Sequence, residues 1–484
     1  MLAICCLSLF IVGMDSTIVN VALPSIGRDL HAPVSGLQWT IDAYLLVLAS
    51  LLMLSGSVAD KAGRRRVFQV GLAVFTLGSL ACSLAPSLGW LIAFRALQAV
   101  GGSMLNPVAM SIITNVFTDP KERARAIGVW GGVFGLSMAL GPVIGGLLID
   151  SVGWPGVFWV NIPVGVAAII LVALFVPESR AARTRALDPA GQVLAVVFLA
   201  TLSYGIIEGP AYGWGSARIL ACFAAAAAAL AVFLAWEPRR AEPLIDLRFF
   251  RSLPFSGAAV MAISAMLAMG GFLFLMTLYL QDVRGYRPLL AGLFLLPMAI
   301  AMAASAPMAG RVVGARGGPR IPLVTAGTGL IAGGLLLTRL TDASPRWYIV
   351  VSGLVFGIGM GWVNAPITYS AVSGMPRSQA GVASGIASTS RQIGASLGVA
   401  IMGSVLAAGL RGSPMVTGFA TATRPGWWIV VGCGAVVFVL ALGTTGRAGR
   451  ASAQRAASLI VAAEAPGKDL WRNCRSGSSY AKDL

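Results

Sequence analysis

Apolar blocks follow one another from residue 2 to residue 445, separated by short stretches rich in charges and turn formers. Each block is about 20 residues, the length an α-helix needs to cross roughly 30 Å of hydrocarbon. Hydrocarbon offers no partner to backbone N–H and C=O groups, so such a chain must fold as a bundle of spanning helices. Dividing it at the charged and turn-forming clusters gives fourteen blocks: 2–23, 39–59, 67–86, 90–115, 126–149, 157–177, 190–208, 217–236, 255–280, 289–313, 321–341, 347–374, 382–408 and 426–445. Only 11% of residues are charged and 57% are hydrophobic; a soluble chain carries roughly 25% charged residues. Many of the 59 glycines lie inside the apolar blocks, where small residues let helix backbones approach.

The net charge of +17 does not signal nucleic-acid binding, because the basic residues sit in the gaps between blocks rather than on one soluble face. Their distribution instead sets topology. Eight lie in one set of alternate loops (Arg28, Arg218, Arg284, Arg287, Arg339, Arg346, Arg411 and Arg424), Arg95 and Arg391 lie within blocks, and the other 25 of the 35 fall in the opposite loops and the tail. The positive-inside rule then predicts cytoplasmic N- and C-termini. That requires an even number of spans, consistent with fourteen. Residues 1–23 lack a basic leader and carry Asp15 inside the apolar run, so they read as a span and not as a cleaved signal. Cys5, Cys6, Cys82, Cys222, Cys433 and Cys474 are scattered with no C-x-x-C, and His31 is the one histidine, so no metal site or cofactor is expected. The chain has no phosphate-binding glycine loop and no stretch long enough for a nucleotide domain, which argues against an ATP-driven pump. Sparse acids and a single histidine also argue against a membrane enzyme.

Gly56-Ser-Val-Ala-Asp60-Lys-Ala-Gly63-Arg64-Arg65-Arg66 recurs in outline as Gly310-Arg-Val-Val-Gly314-Ala-Arg-Gly317-Gly-Pro-Arg320. Each copy joins the second and third span of a six-span unit, which predicts an internal repeat of the kind transporters use. The expected organisation is therefore an N-terminal half, 1–177, an inserted helix pair with its flanking loops, 178–254, a C-terminal half, 255–445, and a tail, 446–484. The Ala-, Ser- and Arg-rich tail is expected to be disordered.

Four motifs give the chain its resemblance to the major facilitator superfamily, in its fourteen-span drug:proton antiporter branch. Gly56-x-x-x-Asp60-x-x-Gly63-Arg64-Arg65-Arg66 resembles the loop signature after the second span; Gly63 permits a tight turn, and Asp60 can pair with arginines or cap a neighbouring helix, to latch one conformation. Arg95-x-x-Gln98-x-x-Gly101-Gly102 resembles the fourth-span motif; an arginine among apolar neighbours must find a carboxylate, a carbonyl or water. Gly131-Gly132-x-x-Gly135, followed by Gly141-Pro142-x-x-Gly145-Gly146, resembles the fifth-span antiporter motif and predicts a kinked helix with a bare face. Asp15-Ser-Thr17-Ile-Val-Asn20 resembles the first-span motif. Asp15 in an apolar helix has the character of a proton carrier, and Asp42, near the start of the second span, is expected to face it across the cavity mouth.

Weaker matches are Trp154 through Asn161 to Gly165 at the sixth span and Gly381 through Arg391 to Gly394 at the thirteenth. The second latch loop has Gly314 where the first has Asp60, so any charge lock is asymmetric.

The resemblance implies an all-α integral membrane protein of two six-helix halves plus an inserted pair. It further implies a monomer in the lipid bilayer of the cell inner membrane that exchanges protons for small molecules, exporting hydrophobic or cationic drugs by alternating access. Proton coupling falls to Asp15, Asp42 and Arg95. Candidate pocket residues are Met14, Asn20, Tyr44, Gln98, Met104, Phe272, Tyr279, Met298, Trp362 and Asn364. Export of a lipid-like metabolite or a self-made antibiotic, and proton-coupled uptake, remain open alternatives.

Overall fold

The structure, a computed structural model, describes residues 1–117, 119–180, 188–240, 243–315, 318–376, 379–410 and 414–464, with the side chains of 120, 121, 124 and 461–464 outside that description. Gly317, Arg411 and Cys474 therefore lie outside the described residues, as does the tail from 465 onward.

Among the described residues the fold is helical throughout. The order is α1 Leu2–Asp29, α2 Val34–Ala62, α3 Arg64–Ser83, α4 Leu88–Val116, α5 Pro120–Val152, α6 Gly156–Trp159, α7 Asn161–Phe175, α8 Pro189–Tyr212, α9 Ala217–Trp236, α10 Leu253–Leu278, α11 Pro288–Ala315, α12 Arg320–Thr338, α13 Arg346–Gly361, α14 Asn364–Val372, α15 Ala380–Leu410, α16 Met415–Thr444 and α17 Arg447–Glu464. By length and composition fourteen segments can cross a membrane, with α6 and α7 forming one span and α13 and α14 another. The breaks have local causes: Asn161 and Pro163 follow the α6 turn, and the helix pauses at Trp362 before restarting at Asn364. Gly63, at φ +113°, lets the chain reverse between α2 and α3. The helix α5 runs unbroken through Pro142.

Packing gathers the spans into groups. The helix α1 packs on α5, α4 on α2 and α3, and α3 on α7; in the second group α10 packs on α15 and α16, α12 on α13 and α16, and α11 on α13. The pair α8 and α9 pack on each other, and α8 also lies against both α2 and α15. Only 22% of the apolar window of α9 is buried inside the protein, so most of its surface is left for lipid. The two groups meet along α2 with α15 and along α5 with α11. The contacts that join them include Gln281 Nε2 to the Val21 carbonyl, Gln38 Nε2 to the Val399 and Ala400 carbonyls, the Leu289 N–H to Asp150 and an Arg28–Asp282 ion pair. All of these belong to the half of the bundle away from the face where the chain starts.

The expected disordered tail is corrected over Arg447–Glu464. There Ser452, Ala453, Ala456 and Ile460 share one face and are buried, while Arg447, Arg450 and Arg455 lie outside. The Ser452 hydroxyl accepts from the Leu253 N–H at the start of α10, and Ala453 sits against Gly374. An apolar stripe at helical spacing, with a body to dock on, outweighs the polar composition.

Candidate functional site

Asp15 is placed mid-way along α1 with none of its surface exposed, and Arg95 of α4 is 1% exposed. Burial of either charge alone would be prohibitive, and each is paired. Arg95 Nη1 donates to Asp15 Oδ2 at 2.7 Å and to Gln98 Oε1 at 2.6 Å, while Nε donates to the Thr40 carbonyl at 3.2 Å. The other carboxylate oxygen accepts from Gln98 Nε2 at 2.9 Å and Asn161 Nδ2 at 3.2 Å. Ser79 Oγ of α3 in turn accepts from both amides, at 2.6 and 3.3 Å. Arg95 also lies over the Tyr44 ring, 4.2 Å from its centroid, a contact that strengthens when desolvated.

The surrounding helices fix this geometry. Arg95 and Gln98 sit three residues apart, on one face of α4. A Cβ on Gly101 would collide with the Phe75 backbone, and one on Gly78 would come within 2.6 Å of Gln98 Cα. Those two glycines let α3 and α4 close tightly enough for Ser79 to reach Gln98. Neither Asn161 nor Ser79 is a site candidate by sequence. Asn161 opens a strongly apolar helix within the weak sixth-span match, and that mismatch is its one signal.

Of the proton-coupling candidates, the structure brings Asp15 and Arg95 together and places Asp42 elsewhere. The Asp42 carboxyl is fully buried and faces Ser396 of α15. The expectation that Asp15 and Asp42 face each other is therefore corrected: Asp42 shares a face of α2 with Gln38, four residues back, and that face meets α15, away from the Asp15 cluster.

In the latch loop Asp60 pairs with Arg64, four residues on, at 2.9 Å. Glu178, which nothing in the loop motif points to, receives the Arg65 and Arg66 N–H groups at 3.1 and 3.3 Å, and the Arg66 side chain lies 3.7 Å from it. A Cβ on Gly63 would come within 2.7 Å of that carboxylate, so the glycine makes room for an anion at the N-terminus of α3. Gly56 lies near Pro107 of α4.

The antiporter motif divides. Cβ atoms on Gly141 and Gly145 would strike Thr17 and Ile18 of α1, and one on Gly146 would strike Pro288 and Leu289 of α11; beside Gly131, Gly132 and Gly135 there is open space. The pocket candidates do not converge on one cavity. Met14 and Tyr44 are enclosed among the first group of helices, and Asn20 donates to the Ser16 and Thr17 carbonyls of its own helix. Phe272 stacks on Phe356, Tyr279 donates to the Thr341 carbonyl, and Met298 packs on Gly357. Met104 and Trp362 are half-buried, and Asn364 is exposed at the helix break. Among the described residues no cluster of His, Cys, Asp and Glu could hold a metal ion.

Two groups of spanning helices that meet through seams, with a carboxylate–guanidinium pair enclosed in one of them, define a membrane transporter. A profile described as Major Facilitator Superfamily matches residues 5–399, and the chain belongs to that family. Multidrug resistance protein Stp of Mycobacterium tuberculosis is 39% identical over 404 residues, covering 84% of this chain and 75% of that one. The tetracenomycin C resistance and export protein of Streptomyces glaucescens is 39% identical over 403 residues, covering 82% and 73%. The methylenomycin A resistance protein of Streptomyces coelicolor is 35% identical over 397 residues, covering 81% and 82%. Among solved structures, a bacterial homolog of the human lysosomal transporter Spinster, inward-facing and occupied, superposes with a TM-score of 0.63 at 16% identity, covering 94% of this chain and 96% of that one. A D-xylose–proton symporter gives 0.63 at 14%, covering 91% and 95%. These likenesses are of fold.

Proposed function

We propose that the protein exports hydrophobic or cationic drugs from the cytoplasm in exchange for protons, as a monomer in the cytoplasmic membrane with both termini inside. The names of its relatives and the fifth-span motif support export, and the loop charges support the orientation. The observation that carries proton coupling is the enclosed Asp15 carboxylate, held by Arg95, Gln98 and Asn161.

In this reading the conformation described is closed toward the outside, where α2 meets α15 and α5 meets α11. The drug enters from the cytoplasm while Asp15 is ionised and paired with Arg95. A proton arriving from outside neutralises Asp15 and breaks the ion pair. Arg95 then rests on the Thr40 carbonyl, Gln98 and the Tyr44 ring, and the drug leaves. Release of the proton to the cytoplasm restores the pair. The two six-helix units, 1–177 and 255–445, rock about the seams, and the latch residues Gly56, Asp60, Gly63, Arg64 and Arg66 steady the cytoplasmic side. Export of a self-made antibiotic is the second reading, favoured by the printed name of the Streptomyces glaucescens relative.

Ethidium efflux from energised vesicles, with and without a protonophore, tests the proposal. Efflux should stop when the proton gradient collapses, and Asp15→Asn should bind ethidium but lose pH-dependent transport. Efflux that persists without a gradient would remove the coupling.

A further inference from the structure

The second group of helices is nearly free of acids. From Leu253 to Thr444 the chain carries two carboxylates, Asp282 and Asp342. Asp282 follows α10 and pairs with Arg28, and Asp342 lies in the turn between α12 and α13. Both are at the end of the bundle away from the starts of α10 and α15. Arg391 sits eleven residues into α15, roughly 16 Å along it from Ala380. It meets no carboxylate of its own group, and among the described residues no ion pair includes it.

Its surroundings contrast with those of Arg95, which is held by Asp15, Gln98, the Thr40 carbonyl and the Tyr44 ring. Arg391 Nη2 donates to Ser388 Oγ at 2.8 Å, while Nη1 is enclosed and has no hydrogen-bond partner. A guanidinium inside a spanning helix is costly, and it cannot shed its charge.

Helix geometry shows what this cation borders. Gly394 and Gly398 mark the face of α15 that meets α10, since a Cβ on either would strike the Ile263 or Leu267 carbonyl. Gly403 marks the face that meets α2, where Gln38 fills the space. At about 100° per residue, Ser388 falls between those two faces, beside Gly381 and Gly385. Nothing lies within reach of a Cβ on either of these glycines, so α2 and α15 part there and a wedge opens. Arg391, one turn beyond Ser388, stands on the α10 edge of the wedge, and its guanidinium turns to the Ser388 hydroxyl. The helix α10 has no charged residue. Past Asp42, the first acid on α2 is Asp60, which Arg64 holds.

We infer that Arg391 anchors a negatively charged group, a carboxylate or an ionised phenol, on the molecule that the protein carries. The inference rests on the export reading above and narrows it to apolar compounds that bear an acidic group, zwitterions included. A planar guanidinium offers paired N–H groups to such an anion. Ser388 orients it, and the apolar wall of α10 takes the rest of the molecule. Asp15 and Asp42 are fully buried in this conformation, so the unpaired charge beside the wedge is positive.

The test compares rhodamine B, a zwitterion with a free carboxylate, with its ethyl ester, in which that negative charge is removed. Binding of each dye to the full chain in phosphatidylcholine nanodiscs is read by fluorescence anisotropy at neutral pH. The parent should bind rhodamine B about tenfold more tightly than the ester, as expected for one charge-assisted pair. Arg391→Gln should remove that preference, and Arg391→Lys should keep part of it. Ser388→Ala should reduce it as well, and provides a second variant should Arg391→Gln fold poorly. A parent that treats the two dyes alike, or an Arg391→Gln variant that weakens both equally, overturns the inference. If the parent shows no preference and chloride raises its unfolding temperature but not that of Arg391→Gln, the site takes a free anion, and the inference is again overturned. Protonophore-resistant ethidium efflux beside an Arg391-dependent preference would defeat the coupling proposal and leave this one standing. Gradient-driven ethidium efflux without that preference would defeat this one alone.

Discussion

Consider replacing Arg95 by Gln. Breaking a buried ion pair from one side costs roughly 3–5 kcal/mol, because the surviving charge is left enclosed. The structure divides that cost unevenly between the partners. After Asp15→Asn, Arg95 keeps the Thr40 carbonyl, Gln98 Oε1 and the Tyr44 ring at 4.2 Å. A desolvated cation–π contact is worth about 2 kcal/mol, and each charged hydrogen bond about 1.5–3 kcal/mol. The expected loss is therefore about 2 kcal/mol, below the usual range. After Arg95→Gln, Asp15 keeps only the two amide donors, Gln98 Nε2 and Asn161 Nδ2, and the expected loss is about 4 kcal/mol at neutral pH.

Unfolding temperatures in detergent should show Arg95→Gln below Asp15→Asn, because Asp15 is left with two neutral amide donors whereas Arg95 keeps a carbonyl, an amide oxygen and an aromatic face. The double variant should lose less than the sum of the singles, by about 2 kcal/mol, as expected for groups in contact. Additive losses, or an Asp15→Asn loss as large as that of Arg95→Gln, would refute the pairing argument.

Gly146→Ala would place a methyl 2.5 Å from Leu289 Cα, and overpacking of about 1–3 kcal/mol should weaken the closed seam and slow efflux roughly tenfold or more. Gly132→Ala, beside open space, should leave the unfolding temperature of this conformation unchanged. Glu178→Gln should cost about 0.5–1 kcal/mol by uncharging the group at the N-terminus of α3, a difference that shrinks in high salt. Ala456→Asp, at a position 1% exposed, should detach α17, and limited trypsin digestion should then cut at Arg450 and Arg455 faster than in the parent.

The spans were legible because burial in lipid leaves a pattern along the chain itself: each block must be long and apolar wherever it packs. Partnerships leave no such pattern. Asp15 and Arg95 are 80 residues apart, and sequence places each charge in an apolar helix without saying which meets which. Asn161 and Ser79 join them only because α3, α4 and the sixth span converge there. Glu178 was unreadable for the same reason, since its partners at Arg65 and Arg66 lie far back in the chain. The tail is a different case. Ala453, Ala456 and Ile460 recur at helical spacing, so the signal was present, but alanine contributes so little apolar area that composition dominated. Docking against α10 and Gly374 supplies what the isolated segment lacks.

The fifth-span motif shows how a single sequence pattern can serve two surfaces. Gly141 and Gly145 are four residues apart and form one stripe, which receives Thr17 and Ile18 of α1. Pro142 and Gly146 form a second stripe one residue on. The Pro142 carbonyl lies where a Cβ on Gly292 would fall, and Gly146 meets Pro288 and Leu289. Successive residues on a helix are about 100° apart, so the two stripes face different neighbours. The first faces a helix of its own group and need not move; the second crosses to α11 and must separate if the halves rock apart. A bulky residue at Gly145 should therefore damage the fold of the first group, whereas one at Gly146 should bias the conformational equilibrium. Two adjacent glycines read as one packing face in the sequence thus have separable roles.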